Sequence, residues 1–160
     1  MKLLKQSRDG WAYELNQQEA MCLRTLLKEF PLTPATAVKI TRTESGRRAA
    51  ERERLLNESL AEHREELKGK AARFLTSGRL KAGQDGWRLR LNPEEREILL
   101  QLLNDIRVGS WRALGEPEDL ESKSSPASEK EMSFQTLMQL AGYFEFKLLN
   151  LESSDEPAGI

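Results

Sequence analysis

The sequence predicts a mainly α domain of three to four packed helices with a small two-stranded β-sheet. Three observations carry that expectation. A strand-to-helix motif occurs twice. A stretch between the two copies is dense in good helix formers and carries an apolar stripe at three- and four-residue spacing. Two later segments also repeat apolar residues at helical period. The 160 residues have the length of one domain. Residues 1–151 are read as that domain and 152–160 as a disordered tail.

The first copy spans 9–30. Asp9-Gly10 is turn chemistry. Trp11, Tyr13 and Leu15 then alternate with polar or small residues, the pattern of a half-buried strand. Asn16 is a helix N-cap, and Glu19 stands at N3, where its carboxylate reaches back to the cap. The second copy spans 85–106 and repeats this logic. Asp85-Gly86-Trp87 opens it, Leu91-Asn92 closes the strand, Pro93 presets the first helical turn, and Glu95 completes the capping box. Leu23, Leu26 and Leu27 align with Leu99, Leu102 and Leu103. Strands this short are unstable alone, so 11–15 is expected to pair with 87–91. Glu14 would then meet Arg88 or Arg90 across the strands.

Thr33-Pro34 reads as a cap and first turn of a short helix toward Ile40. A charged helical arm follows over 44–77, with Leu56, Leu60, His63, Leu67, Ala71 and Phe74 on one stripe. Residues 46–54 are almost free of large apolar side chains and are expected to fray. Ser77-Gly78 is a stop. A helix runs on from Ile98 to Leu114, where small Gly109, Ser110 and Ala113 would let a neighbour approach. Residues 116–130, rich in Ser, Glu and Pro, read as a mobile linker. The last helix is placed over 132–151, with Phe134, Leu137, Met138, Ala141, Phe144 and Leu148 on its core face.

Composition excludes several classes. No apolar run approaches the roughly 20 residues of a membrane span. A single Cys, Cys22, cannot form an internal disulfide, and the basic N-terminus lacks the apolar core of a signal peptide. A cytoplasmic setting is the expectation. One His and one Cys cannot build an ordinary structural zinc site, and no phosphate-binding glycine loop, nucleophile elbow or Cys-pair motif occurs. No catalytic residue, cofactor or metal is therefore expected.

Lys plus Arg number 25 and Asp plus Glu 26, a net charge of −1. Residues 64–90 carry a local basic excess, yet the near-zero total argues against a dedicated nucleic-acid binder. Asp105 and Arg107 are the sharper pair. They flank the apolar stripe of the second-copy helix, and charges so close to a core must find partners if buried. They are expected to be a structural or partner-binding polar pair, and at least one to be buried and bonded to a neighbouring helix. Trp111, one turn beyond Arg107, is a candidate interface anchor. His63 on the arm's apolar stripe is expected to be partly buried.

The run from Gly86 to Glu95, with Leu103-Asn104-Asp105-Ile106-Arg107 and Leu114-Gly115, resembles an uncharacterised bacterial domain-of-unknown-function family found mainly in actinobacteria. Glu19-Ala20-Met21-Cys22-Leu23-Arg24-Thr25-Leu26 is similar to its first helix, and 134–149 to its closing helix. The resemblance covers 10–151. The chain departs from the pattern in its charged middle and at Gly109-Ser110-Trp111-Arg112. The family implies no activity. Its genes often lie near that of the Clp protease adaptor ClpS, so the resemblance implies a link to Clp-type proteolysis.

Together these readings favour a non-enzymatic protein-interaction or adaptor module with a protein partner and no membrane. The alternatives are a nucleic-acid-associated protein using 64–90, and an enzyme or ligand-binding domain with a site at Asp105 and Arg107.

Overall fold

The computed structural model describes residues 1–30, 46–116 and 128–150. Among them the chain runs β1 (Lys2–Ser7), β2 (Gly10–Leu15), α1 (Gln17–Glu29), α2 (Arg47–Thr76), β3 (Leu80–Ala82), β4 (Trp87–Leu91), α3 (Pro93–Ala113) and α4 (Glu129–Asn150). The fold is mainly helical with one small antiparallel sheet. That sheet has four strands, in the order β1-β2-β4-β3, where two were expected.

The expected central pairing is present. β2 and β4 run antiparallel, from Trp11 opposite Leu91 to Leu15 opposite Trp87. Position 13 faces position 89 at the centre. Two glycines set how closely these strands meet the segments around them. A Cβ on Gly10, at φ +147°, would stand 2.1 Å from the Leu91 carbonyl oxygen. A Cβ on Gly86 would stand 3.0 Å from that of Leu15. The two added strands are the edges. β1 pairs with β2 through an irregularity between Leu3 and Lys5, and β3 adds three residues beside β4.

Alternation along the strands sends Tyr13, Leu15, Leu89 and Leu91 into the core, where all four are buried. The helices cover this face. Leu23, Leu26 and Leu27 of α1 join Leu99, Leu102, Leu103 and Ile106 of α3, Ala141, Phe144 and Leu148 of α4, and Leu67, Ala71 and Phe74 of α2. Cys22 is half-buried against the same core. Phe134, Leu137 and Met138 of the expected core face of α4 are only half-buried.

Both helices that follow the central strands start on a complete capping box. Asn16 Oδ1 accepts from the Glu19 N–H at 2.8 Å, and the Asn16 N–H donates to Glu19 Oε2 at 2.9 Å. Asn92 and Glu95 repeat both distances.

Two expectations are corrected in α2. Its helix begins at Arg47, so 46–54 does not fray before Arg54; Ala, Arg and Glu hold it by intrinsic propensity. Its apolar stripe is buried only from Leu67 onward. Leu56, Leu60 and His63 are exposed, because the body that α2 packs on begins one turn later. The expected helix at 33–40, most of the 116–130 linker and the 152–160 tail lie outside the described residues.

Candidate functional site

Among the described residues the sheet has one face under helices and one face that no helix covers. On β4 the buried Leu89 and Leu91 force Arg88 and Arg90 to the bare side, and both are exposed. Register then assembles two rows across the strands. Lys2, Glu14, Arg88 and Lys81 form one. Lys5, Ala12, Arg90 and Arg79 form the other, Arg79 joining through the hydrogen bond from the Arg90 N–H to its carbonyl at 3.0 Å. Neighbours in a row are about 4.8 Å apart and the rows lie two residues apart, about 6.8 Å.

Six of these eight positions are cationic and one is acidic. Arg88 lies 3.9 Å from Glu14, the cross-strand pair expected from the sequence. Arg79 Nε reaches Glu95 Oε1 at 2.6 Å. Lys5, Lys81 and Arg90 have no ion pair among the described residues. Two shallow clefts of about 360 and 630 Å³ cross the face, and both are lined by Arg79, Arg88 and Arg90. Trp11 and Trp87 are on the other side. Arg96 stacks 4.7 Å over the Trp11 ring, and Arg24 5.7 Å over that of Trp87.

The basic stretch 64–90 therefore divides. Arg79, Lys81, Arg88 and Arg90 share the sheet face. Arg64, Lys68, Lys70 and Arg73 ride on α2, where Lys68 and Lys70 pair with Glu65 and Glu66 of the same helix. Lys2 and Lys5 join the face from the far edge. The alternating Trp-Arg-Leu-Arg-Leu of 87–91 is the one sequence signal that points to it.

Asp105 and Arg107 do not pair with each other. Asp105 is half-buried and makes no hydrogen bond or ion pair among the described residues. Arg107 is exposed, contrary to a buried site, yet it does bond to another helix. Its Nε lies 2.8 Å from Glu145 Oε2 on α4, and an Nη donates to Asn104 Oδ1 at 3.0 Å. Burial pushes the Glu145 carboxyl above its usual range, and the Arg107 guanidinium only partly offsets it. Trp111 is 37% exposed and lines a cleft of about 380 Å³ with Arg107, Val108 and Met138.

A second polar group ties α1 to α4. The Tyr143 hydroxyl and the Met1 ammonium both donate to Glu19 Oε1. Burial raises the Glu19 carboxyl, but the ammonium, Tyr143 and the Asn16 N–H outweigh it and hold it below its usual range. Burial and the Glu19 carboxylate push the Tyr143 hydroxyl up to about 12. This is a capping group reinforced by donors from two further segments. No group of three or more His, Cys, Asp or Glu side chains able to hold a metal is present among the described residues, and no described helix is long and apolar enough to cross a membrane. Comparison with protein-family models, with curated proteins and with solved structures finds no match.

Proposed function

We propose that the chain is a non-enzymatic protein-interaction module whose bare sheet face binds an acidic, extended segment of a protein partner. The observation that carries this reading is the pair of rows across the sheet, in which β1, β4 and the β3 segment place six cations. In an extended segment every second side chain points the same way, at a repeat of about 6.8 Å. That is the separation of the two rows. An extended segment lying on the face alongside β4 would thus bring alternate carboxylates over Arg88 and Arg90, with Lys81 beside Arg88.

A nucleic-acid partner is the second reading. It draws on the same cations, but the rings of Trp87 and Trp11, which a base would need for stacking, already carry Arg24 and Arg96. The near-zero net charge also supplies little of the general field that nucleic-acid binders use. The paired strand–helix segments are part of the proposal as copies of one unit. Their support is the register, in which position 13 faces its own sequence counterpart, 89. The family resemblance adds Clp-type proteolysis in a bacterial cytoplasm as the setting.

The test is fluorescence anisotropy with two labelled probes at one salt concentration, an alternating Glu-Thr peptide and an oligothymidylate of equal charge. Saturable peptide binding that Lys81→Glu with Arg90→Glu abolishes is the expected result. Tighter binding of the oligonucleotide, lost in the same variant, would replace this reading with the nucleic-acid one. No binding of either probe would remove the face from the function.

A further inference from the structure

The part of α2 that precedes Leu67 projects past the body with its apolar residues bare. Leu55, Leu56 and Leu60 are 53%, 36% and 42% exposed. The residues along this stripe are Ala49, Glu53, Leu56, Leu60, His63 and Leu67, separated by alternating steps of four and three. That is the spacing of a coiled-coil seam. At Leu67 two steps of four succeed each other, from His63 to Ala71, and the stripe turns into the body's own core. The seam is thus a separate feature from the surface that α2 uses for folding.

We infer that this arm is the interface for a second copy of the chain, whose arm lies antiparallel on it. The charges on the seam choose the occupant and its direction. A parallel pair would set Glu53 against Glu53 and His63 against His63. An antiparallel pair with its two-fold axis at position 58 sets Glu53 against His63 of the second copy. It sets Leu56 against Leu60, and small Ala49 at the rim where Leu67 is already buried in its own body. On the flank, Arg52 then faces Glu66 of the second copy. The arm is electrically polar in the same sense. Arg47, Arg48, Arg52 and Arg54 outnumber Glu51 and Glu53 at its start, and Glu58, Glu62, Glu65 and Glu66 outnumber Arg64 in its later half. Antiparallel association brings each basic start against an acidic end. The overlap over 49–67 is about 27 Å long at 1.5 Å per residue.

Few apolar layers make this a weak dimer, so it is measured over a wide concentration range. Sedimentation equilibrium of the full chain, from about 5 to 500 μM to bracket micromolar association, is expected to show mass rising from 18.3 kDa toward twice that value. Leu60→Glu should remain monomeric throughout while keeping the parent's thermal unfolding at low concentration, since Leu60 is 42% exposed and stands outside the core among the described residues. Glu53→Lys should weaken association at least tenfold. Adding His63→Glu to it should restore association to within a few-fold of the parent, a rescue that only the antiparallel register provides. A parent chain that stays monomeric at 500 μM, or a Leu60→Glu chain that dimerises like the parent, would overturn the inference. So would failure of the double variant to rescue. None of these substitutions lies on the sheet face, so acidic-peptide binding should survive in all of them. Dimer loss and binding loss therefore report on separate proposals.

Discussion

At Gly10 and Gly69 the same side-chain addition has opposite consequences. Gly10 combines a φ of +147° with a carbonyl 2.1 Å from where a Cβ would sit. Gly10→Ala is expected to cost at least the about 1–3 kcal/mol of a strained backbone position, plus whatever moving β4 adds. Gly69 lies in the middle of α2 with nothing within 4 Å of the added Cβ. Gly69→Ala should stabilise by about 0.5–1 kcal/mol through helix propensity alone. Denaturant unfolding of the two variants measures both signs. Glu145 makes a third residue-scale prediction, on pH. Its folded carboxyl titrates above the ordinary value of 4.5. The folded state therefore binds the proton more tightly than the unfolded one. Its contribution is fully present below 4.5 and is lost as pH rises through the raised folded value. Glu145→Gln keeps an acceptor for Arg107 and removes the charge. Its stability relative to the parent should grow as pH climbs above 4.5, in thermal melts between pH 4 and 8. Arg107→Ala leaves the half-buried carboxylate without its cation, and should melt lower than the parent at pH 7.

Elements held by local chemistry and the central β2–β4 pairing were legible in the sequence, and the two edge strands were not. The two capping boxes rest on residues three apart, Asn16 with Glu19 and Asn92 with Glu95, so the starts of α1 and α3 can be read directly. Asn92→Ala should cost about 0.5–2 kcal/mol, read from the shift of the denaturant midpoint, and Asn16→Ala a similar amount. β1 has no such signature. Lys-Leu-Leu-Lys-Gln-Ser lacks alternation, and its irregular pairing between Leu3 and Lys5 lets adjacent leucines coexist in one strand. β3 is three residues long and exists because β4 presents it with a partner edge. The partner that Arg107 finds was not legible for a related reason. Helical position shows which residues flank a core stripe, but the group that receives Arg107 is on α4, far away in sequence. For α2, the stripe itself was legible. Where burial along it stops depends on the size of the body, which no local pattern encodes.

Over the whole molecule a net charge of −1 conceals a separation of charge that only the topology creates. Residues from both ends of the described sheet, Lys2 and Lys5 at one edge and Arg79 and Lys81 at the other, come within one face because β2 and β4 sit side by side at its centre. Lys81 stands beside Arg88, and Arg79 beside Arg90, at cross-strand neighbour distance. Like charges so placed are destabilising, by an amount similar to the about 0.2–1 kcal/mol that an opposite pair contributes. Only Arg79 and Arg88 have carboxylates to relieve them. Reversing an unrelieved cation should therefore strengthen the fold. Arg90→Glu places a carboxylate beside Arg79, and Lys81→Glu places one beside Arg88. Each is expected to raise the melting temperature, by roughly 2–4 °C per kcal/mol gained in a chain of this size. The rise should shrink in high salt, where exposed charges are screened. The same two substitutions are the ones expected to abolish binding of the acidic peptide. A gain in stability coupled to a loss of binding is the mark of a surface kept for a partner at the fold's expense. Calorimetry of the two variants decides it. If both melt below the parent, the cations are supporting the sheet through contacts of their own, and the face is part of the scaffold rather than its working surface.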